Sequence, residues 1–289
     1  MTSLLGIPLA LACALAANIA FLFKHRGACS APAVDMGRPL RTARQLFASR
    51  WFTIGMGIGA LAWIFHVAAL SVAPLSLVQS VLAGGMVLLA VMAERIFGIR
   101  IGRRQWIGLG LTALGLMLLA VTLPVEHGAH SGFSVPGMVS FEAGLIAAGT
   151  LLIMGPRIGA PREHHGFMLG AAAGILFGVS DVAIKAISGL IGSAGVSGLF
   201  TPWMAFCLVA SVAAFYASAK SLQDGDAVPV IAITGTSANV AGILGGIIVF
   251  GDPLAASPLL LALECLAFLL VIAATWLMPA PLRAASALG

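Results

Sequence analysis

The sequence predicts an all-α, polytopic membrane protein of about nine transmembrane helices in an inverted-repeat bundle. Three observations lead there. Hydrophobic residues make up 60% of the 289 and charged ones only 9%, with a mean hydropathy of +1.08, a balance foreign to soluble domains. Apolar runs of bilayer-spanning length recur along the whole chain. Arg and Lys gather in alternate connections between those runs. The net charge of +5 therefore reads as loop charge that orients spans, not as a nucleic-acid footprint. Of the four cysteines none forms a C-x-x-C pair, so neither a zinc site nor a disulfide framework is indicated.

Span one covers 4–23; no basic residue precedes its apolar run, which argues for a retained helix over a cleaved signal. The basic loop 24–50 follows, and within it Leu40, Ala43 and Phe47 lie apart from Arg41 and Arg44, the pattern of a short interfacial helix. Spans two (51–73) and three (74–94) meet at Pro74 with no room for a long loop, a tight helical hairpin. The remaining spans run near 105–123, 139–155, 166–188, 199–219, 228–250 and 255–278, with prolines at or near their ends. Odd-numbered loops and the tail hold every Lys and Arg except Lys185. The N-terminus is thus expected outside and the C-terminus in the cytoplasm, in the cytoplasmic membrane.

Span six organises the rest. Gly166, Gly170, Gly174 and Gly178 form one stripe down a helix face, where another backbone can approach closely. Asp181 and Lys185 continue the stripe one turn apart, and ionisable groups at membrane depth need protein or a watery cavity around them. Internal repetition supports the arrangement: Phe65–Ser71 in span two aligns with Phe215–Ser221 in span seven, and Gly6, Ala10, Ala14 with Gly166, Gly170, Gly174. Residues 1–123 form a first repeat and 166–289 a second with a short tail; 124–165 is a connector carrying span five. Five spans separate equivalent helices, so the copies insert with opposite orientation and place a site near the midplane.

Residues 69–121, ALSVAPLSLVQSVLAGGMVLLAVMAERIFGIRIGRRQWIGLGLTALGLMLLAV, resemble the first repeat of the drug/metabolite transporter superfamily, EamA-like type. The matching features are the A-L-x-x-x-P hairpin, the helix ending in Glu94, a basic joint, and a helix carrying Gly108, Gly110 and Gly115. Residues 221–254 resemble the second-repeat counterpart. Members of that superfamily usually have ten spans; nine with the N-terminus outside is similar to the NIPA-type magnesium transporter branch. The resemblance implies a carrier, and its substrates range over amino acids, drugs, nucleotide sugars and cations.

Counting about 1.5 Å per residue puts Asp181 roughly 22 Å from the cytoplasmic end of span six, with His66 and Gln79 at a similar level. Asn239 and Glu264 fall near the midplane, Asn18 deeper toward the cytoplasm, and Glu142 near the outer start of span five. Asp181 reads either as a cation- or proton-responsive carboxylate held in check by Lys185, or as half of a structural i,i+4 salt bridge with Lys185 snorkelling outward. Glu264 has no partner in its own helix and needs a cavity or an interhelical hydrogen bond. His66 is a proton-linked switch or a neutral interhelical donor. Gln79, Asn239 and Asn18 are candidate pathway groups. Glu94 and Asp252, acids at helix C-termini where the macrodipole opposes them, read as gate ties between helices. Glu126, His127 and His130 could chelate a metal only weakly. No metal ligand set stands out.

The function expected is secondary transport of a small metabolite or drug-like solute by alternating access, with no cofactor beyond an ion gradient. The alternatives are a NIPA-like magnesium or divalent-cation carrier and, from another class, a non-transporting membrane assembly protein. An enzyme is not expected: H-E-x-x-H, G-x-S-x-G and paired aspartates on a Gly-rich helix are all absent from the sequence. The partners expected are the lipid bilayer and the solute or cation, with no nucleic acid; a homodimer stays open.

Overall fold

The computed structural model describes residues 2–35, 37–95, 101–122, 132–252 and 257–277, and among them all regular structure is helical. The elements are α1 (Thr2–Ser30), α2 (Pro39–Phe47), α3 (Arg50–Val72), α4 (Leu75–Gly84), α5 (Met86–Arg95), α6 (Arg103–Thr122), α7 (Val135–Ile153), α8 (His165–Ala194), α9 (Pro202–Asp224), α10 (Ala227–Val249) and α11 (Pro258–Leu277). Six helical stretches among the described residues are long and apolar enough to cross a membrane: Leu5–Ser30, Arg50–Val72, Val135–Ile153, Arg162–Leu199, Pro202–Asp224 and Ala227–Val249. The chain is a multi-pass helical membrane protein, a form in which each span satisfies its own backbone.

Local chemistry sets the ends. Pro39 and Pro202 open α2 and α9 where a missing N–H costs nothing. The Ser134 hydroxyl accepts from the Gly137 N–H and caps α7. α8 stops at Gly195, whose positive φ of 66° turns the chain out of the helix. The Pro74 hairpin is present between α3 and α4.

The expected third span is not one helix. It breaks at Gly85, where the Asn18 amide donates to the Gly85 carbonyl at 2.8 Å. A side-chain donor from α1 thus satisfies a carbonyl at the junction of two half-length helices, and Ala14 of α1 packs where a Gly85 side chain would stand. The interfacial helix forms as α2, but Thr42 and Leu46 face the protein while Leu40 is 85% exposed. The basic loop is tied to α9: the Gln223 amide accepts from the Val34 N–H at 2.7 Å and donates to the Ala28 and Pro32 carbonyls. Tyr216 also works here, donating to the Pro39 carbonyl at 2.9 Å.

Two apolar clusters hold the ends of the bundle. Leu22, Phe52, Leu89, Leu109 and Leu222 pack where α1 and α9 finish; Leu70, Leu75, Val182, Ile187 and Trp203 pack toward the opposite end. Between them the glycine stripe of α8 lies against α10. A side chain at Gly170 would meet Ile233 and Thr234, one at Gly174 the Thr234 carbonyl and Ser237, and one at Gly178 Ala241. That contact fixes α8 close to α10 and turns the next charged residue, Asp181, toward α3 and α4.

Candidate substrate cavity

Asp181 sits halfway along α8 and both of its oxygens are engaged. The His66 imidazole of α3 donates from Nε2 to Oδ1 at 2.8 Å, and the Gln79 amide of α4 donates to Oδ2 at 2.7 Å. Against an ionised carboxylate, the tautomer with its proton on Nε2 is the one that makes this bond. Three helices are thereby pinned to one carboxyl group. Its side chain remains 14% exposed, which leaves lone pairs turned to open space.

That space is a cavity of roughly 220 Å³ lined by α1, α3, α4, α5, α8 and α10. Asn18, His66, Gln79, Asp181, Thr234 and Asn239 give it polar walls, and Trp63 and Phe177 give it aromatic ones. A larger, mainly apolar cavity of about 560 Å³ adjoins it between α3, α8 and α9 and shares Asp181, Trp63, Phe177 and Lys24. The sequence count therefore placed His66, Gln79 and Asp181 on one level, and the fold brings them into contact. Asn18 and Asn239 line the same cavity, Asn18 while holding the Gly85 break.

Lys185 does not pair with Asp181 among the described residues. Its ammonium donates at 2.9 Å to the carbonyls of Leu70 and Ala73, and its side chain is fully buried, so it does not snorkel to an interface either. The reason is local. The last carbonyls of α3 lack intrahelical donors and concentrate negative partial charge, whereas both oxygens of Asp181 already hold a donor. Asp252, itself buried, lies close enough to act on the Lys185 charge. Lys185→Met is expected to cost about 2–3 kcal/mol, because two charge-assisted bonds go and buried carbonyls lose their donor. The measurement is the unfolding temperature of the purified chain.

Glu264 is 2% exposed on α11 but lines neither of these cavities. Glu94 Oε1 accepts from the Trp106 indole at 3.1 Å and from the Ile101 N–H at 3.4 Å, joining α5 to α6. Asp252 stands just beyond α10 with its N–H on the Gly246 carbonyl. The outer-loop set Glu126, His127 and His130 and the residues Arg100 and Arg283 lie outside the described residues. Sequence reasoning missed Lys24, which it left at the edge of a loop. α1 continues to Ser30, so the Lys24 ammonium stays on the bundle, 3.8 Å over the Phe21 ring, and borders both cavities. Among the described residues no group of three His, Cys, Asp or Glu could hold a metal ion.

No family model matches the chain, and no solved structure matches it. Over 266 residues it is 23% identical to the protein named "Probable magnesium transporter NIPA9" of Arabidopsis thaliana, an alignment that covers 88% of this chain and 75% of that protein.

Proposed function

We propose that this chain is a secondary transporter, moving a small solute across the cytoplasmic membrane by exposing the Asp181 cavity alternately to its two sides. The observation that carries the reading is a carboxylate with free lone pairs in a central cavity, oriented by His66 and Gln79 from two other helices. Such a group accepts a solute's cationic or hydrogen-bond-donating end, and three helices meeting on it convert binding into helix movement. The nine-span inverted-repeat layout belongs to the same proposal. It is supported by α1 packing closely on α3 much as α8 packs on α9, and by the break at Gly85, since carriers often bind at interrupted helices. With loop charges setting direction, the N-terminus lies outside.

A second reading, magnesium as the substrate, is favoured by the likeness to the Arabidopsis protein. Magnesium takes oxygen ligands and keeps several waters. Asp181 with Asn18, Asn239 and Thr234 supplies oxygens for a hydrated ion, while Lys24 on the same wall opposes a cation. The test is flux into vesicles carrying the full chain, with an entrapped magnesium indicator in one set and labelled small metabolites in another. Uptake of either class above protein-free vesicles supports transport and names the class. Uptake equal to protein-free vesicles in both sets overturns the proposal.

A further inference from the structure

We propose that Glu142 is a proton-binding site, separate from the Asp181 cluster and at the same depth on the neighbouring helix. Glu142 lies on α7 and is only 1% exposed, and neither carboxyl oxygen has a hydrogen-bond partner among the described residues. Its depth follows from the packing. Gly149 of α7 lies against Ile175 and Leu176 of α8, and the two helices run antiparallel across a short connection. Seven residues back along α7 and seven forward along α8 bring Glu142 level with Val182, next to Asp181 in sequence. Phe141 and Val182 both border the position a Gly245 side chain would fill, which fixes the same register from α10.

The surroundings decide the occupant. The buried Met138, one turn away, and Val182 on the facing helix are apolar. The titratable groups around α7 are Asp181, Lys185 and His165 on α8, the last with its ring 3.4 Å from the Ile153 carbonyl at the far end of α7, together with Asp252 beyond α10, the exposed Arg157 past the far end of α7 and, on α9, Cys207. Asp181 is engaged by His66 and Gln79, and the Lys185 ammonium by two backbone carbonyls. A metal ion would need several oxygens, and no acidic or histidine cluster accompanies Glu142 among the described residues. An ionised carboxylate left alone there would cost several kcal/mol. A proton removes the charge and needs no further ligand.

The step is balanced simply: the Glu142 carboxylate takes a proton from water on one side of the membrane and gives it to water on the other when helix movement admits solvent. Loss of the proton would charge the α7–α8 interface at the level of Asp181, which links proton release to cavity opening.

The test reads Glu142 without any substrate. Infrared spectra of the full chain in lipid should show the carbonyl stretch of a protonated carboxylic acid that shifts on transfer to heavy water. That component is expected to vanish in Glu142→Gln and persist in Asp181→Asn. In vesicles with an entrapped pH dye, Glu142→Gln should dissipate an imposed pH gradient at least tenfold more slowly than wild type. An unchanged band in Glu142→Gln, a band that ignores heavy water, or undiminished proton flux overturns the proposal. Should Glu142→Gln aggregate, Glu142→Asp keeps an acid and must move the band without abolishing it. Failure of the transport reading would show separately, as absent solute flux.

Discussion

Asp181→Asn is expected to lower solute flux at least about a hundredfold while the protein still folds. The substitution keeps shape and size, so the change is chemical. One carboxylate oxygen becomes an amide nitrogen that donates, and it must face either the His66 Nε2–H at 2.8 Å or the Gln79 amide at 2.7 Å. With the His66 proton on Nε2 and the Gln79 amide nitrogen turned inward, as the two groups stand, a donor then meets a donor. Hydrogen bonds to a charged group contribute about 1.5–3 kcal/mol each, and stranding the second partner costs about 1–3 kcal/mol more. A sum near 3–5 kcal/mol corresponds to roughly two to four decades in an equilibrium constant. The cavity also loses its negative charge, so any cationic group of a substrate loses its counterion. Flux per folded protein in vesicles checks this; wild-type flux in Asp181→Asn would remove the cavity from the pathway.

How the cluster could be read from sequence, and where that reading stopped, has a physical basis. Depth is legible, because rise per residue is fixed and span ends are marked by Pro and Arg; that is why His66, Gln79 and Asp181 came out level. The glycine stripe is legible for the same reason, since a repeat of four residues stays on one face. Facing is not legible in a helix apolar all round. α11 offers no polar side to show which way Glu264 points, and it lies away from both cavities. Spacing likewise gives proximity without giving the acceptor: Lys185 is one turn from Asp181, yet the carbonyl end of α3, remote in sequence, wins its ammonium. The Gly84-Gly85 doublet reads equally as close packing or as a break, and the deciding group, Asn18, is sixty-seven residues away. Lys24 was hidden by a boundary placed at residue 23, while the helix runs to Ser30.

A large effect on stability is expected at Gly174. A Cβ built there runs into the Thr234 carbonyl and stands 2.8 Å from the Ser237 Cβ, both on α10. Backbone cannot swing aside as a flexible side chain can, so α8 must retreat. Retreat is not local, because Gly170 and Gly178 hold the same interface a turn to either side, and the Thr234 hydroxyl donates to the Gly170 carbonyl at 3.0 Å. Close approach is also the main attraction between helices in lipid, where no hydrophobic drive is available to compensate. Gly174→Ala is expected to cost about 1–3 kcal/mol, the usual range for overpacking, and Gly174→Val more. Gly144 of α7 supplies the control: a Cβ there meets nothing within 4 Å, so Gly144→Ala should leave stability equal or slightly raised. Unfolding temperatures of the two alanine variants in the same detergent decide it. Were they equal, α8 and α10 would not touch at Gly174, and the orientation of Asp181 toward α3 and α4 would need another cause.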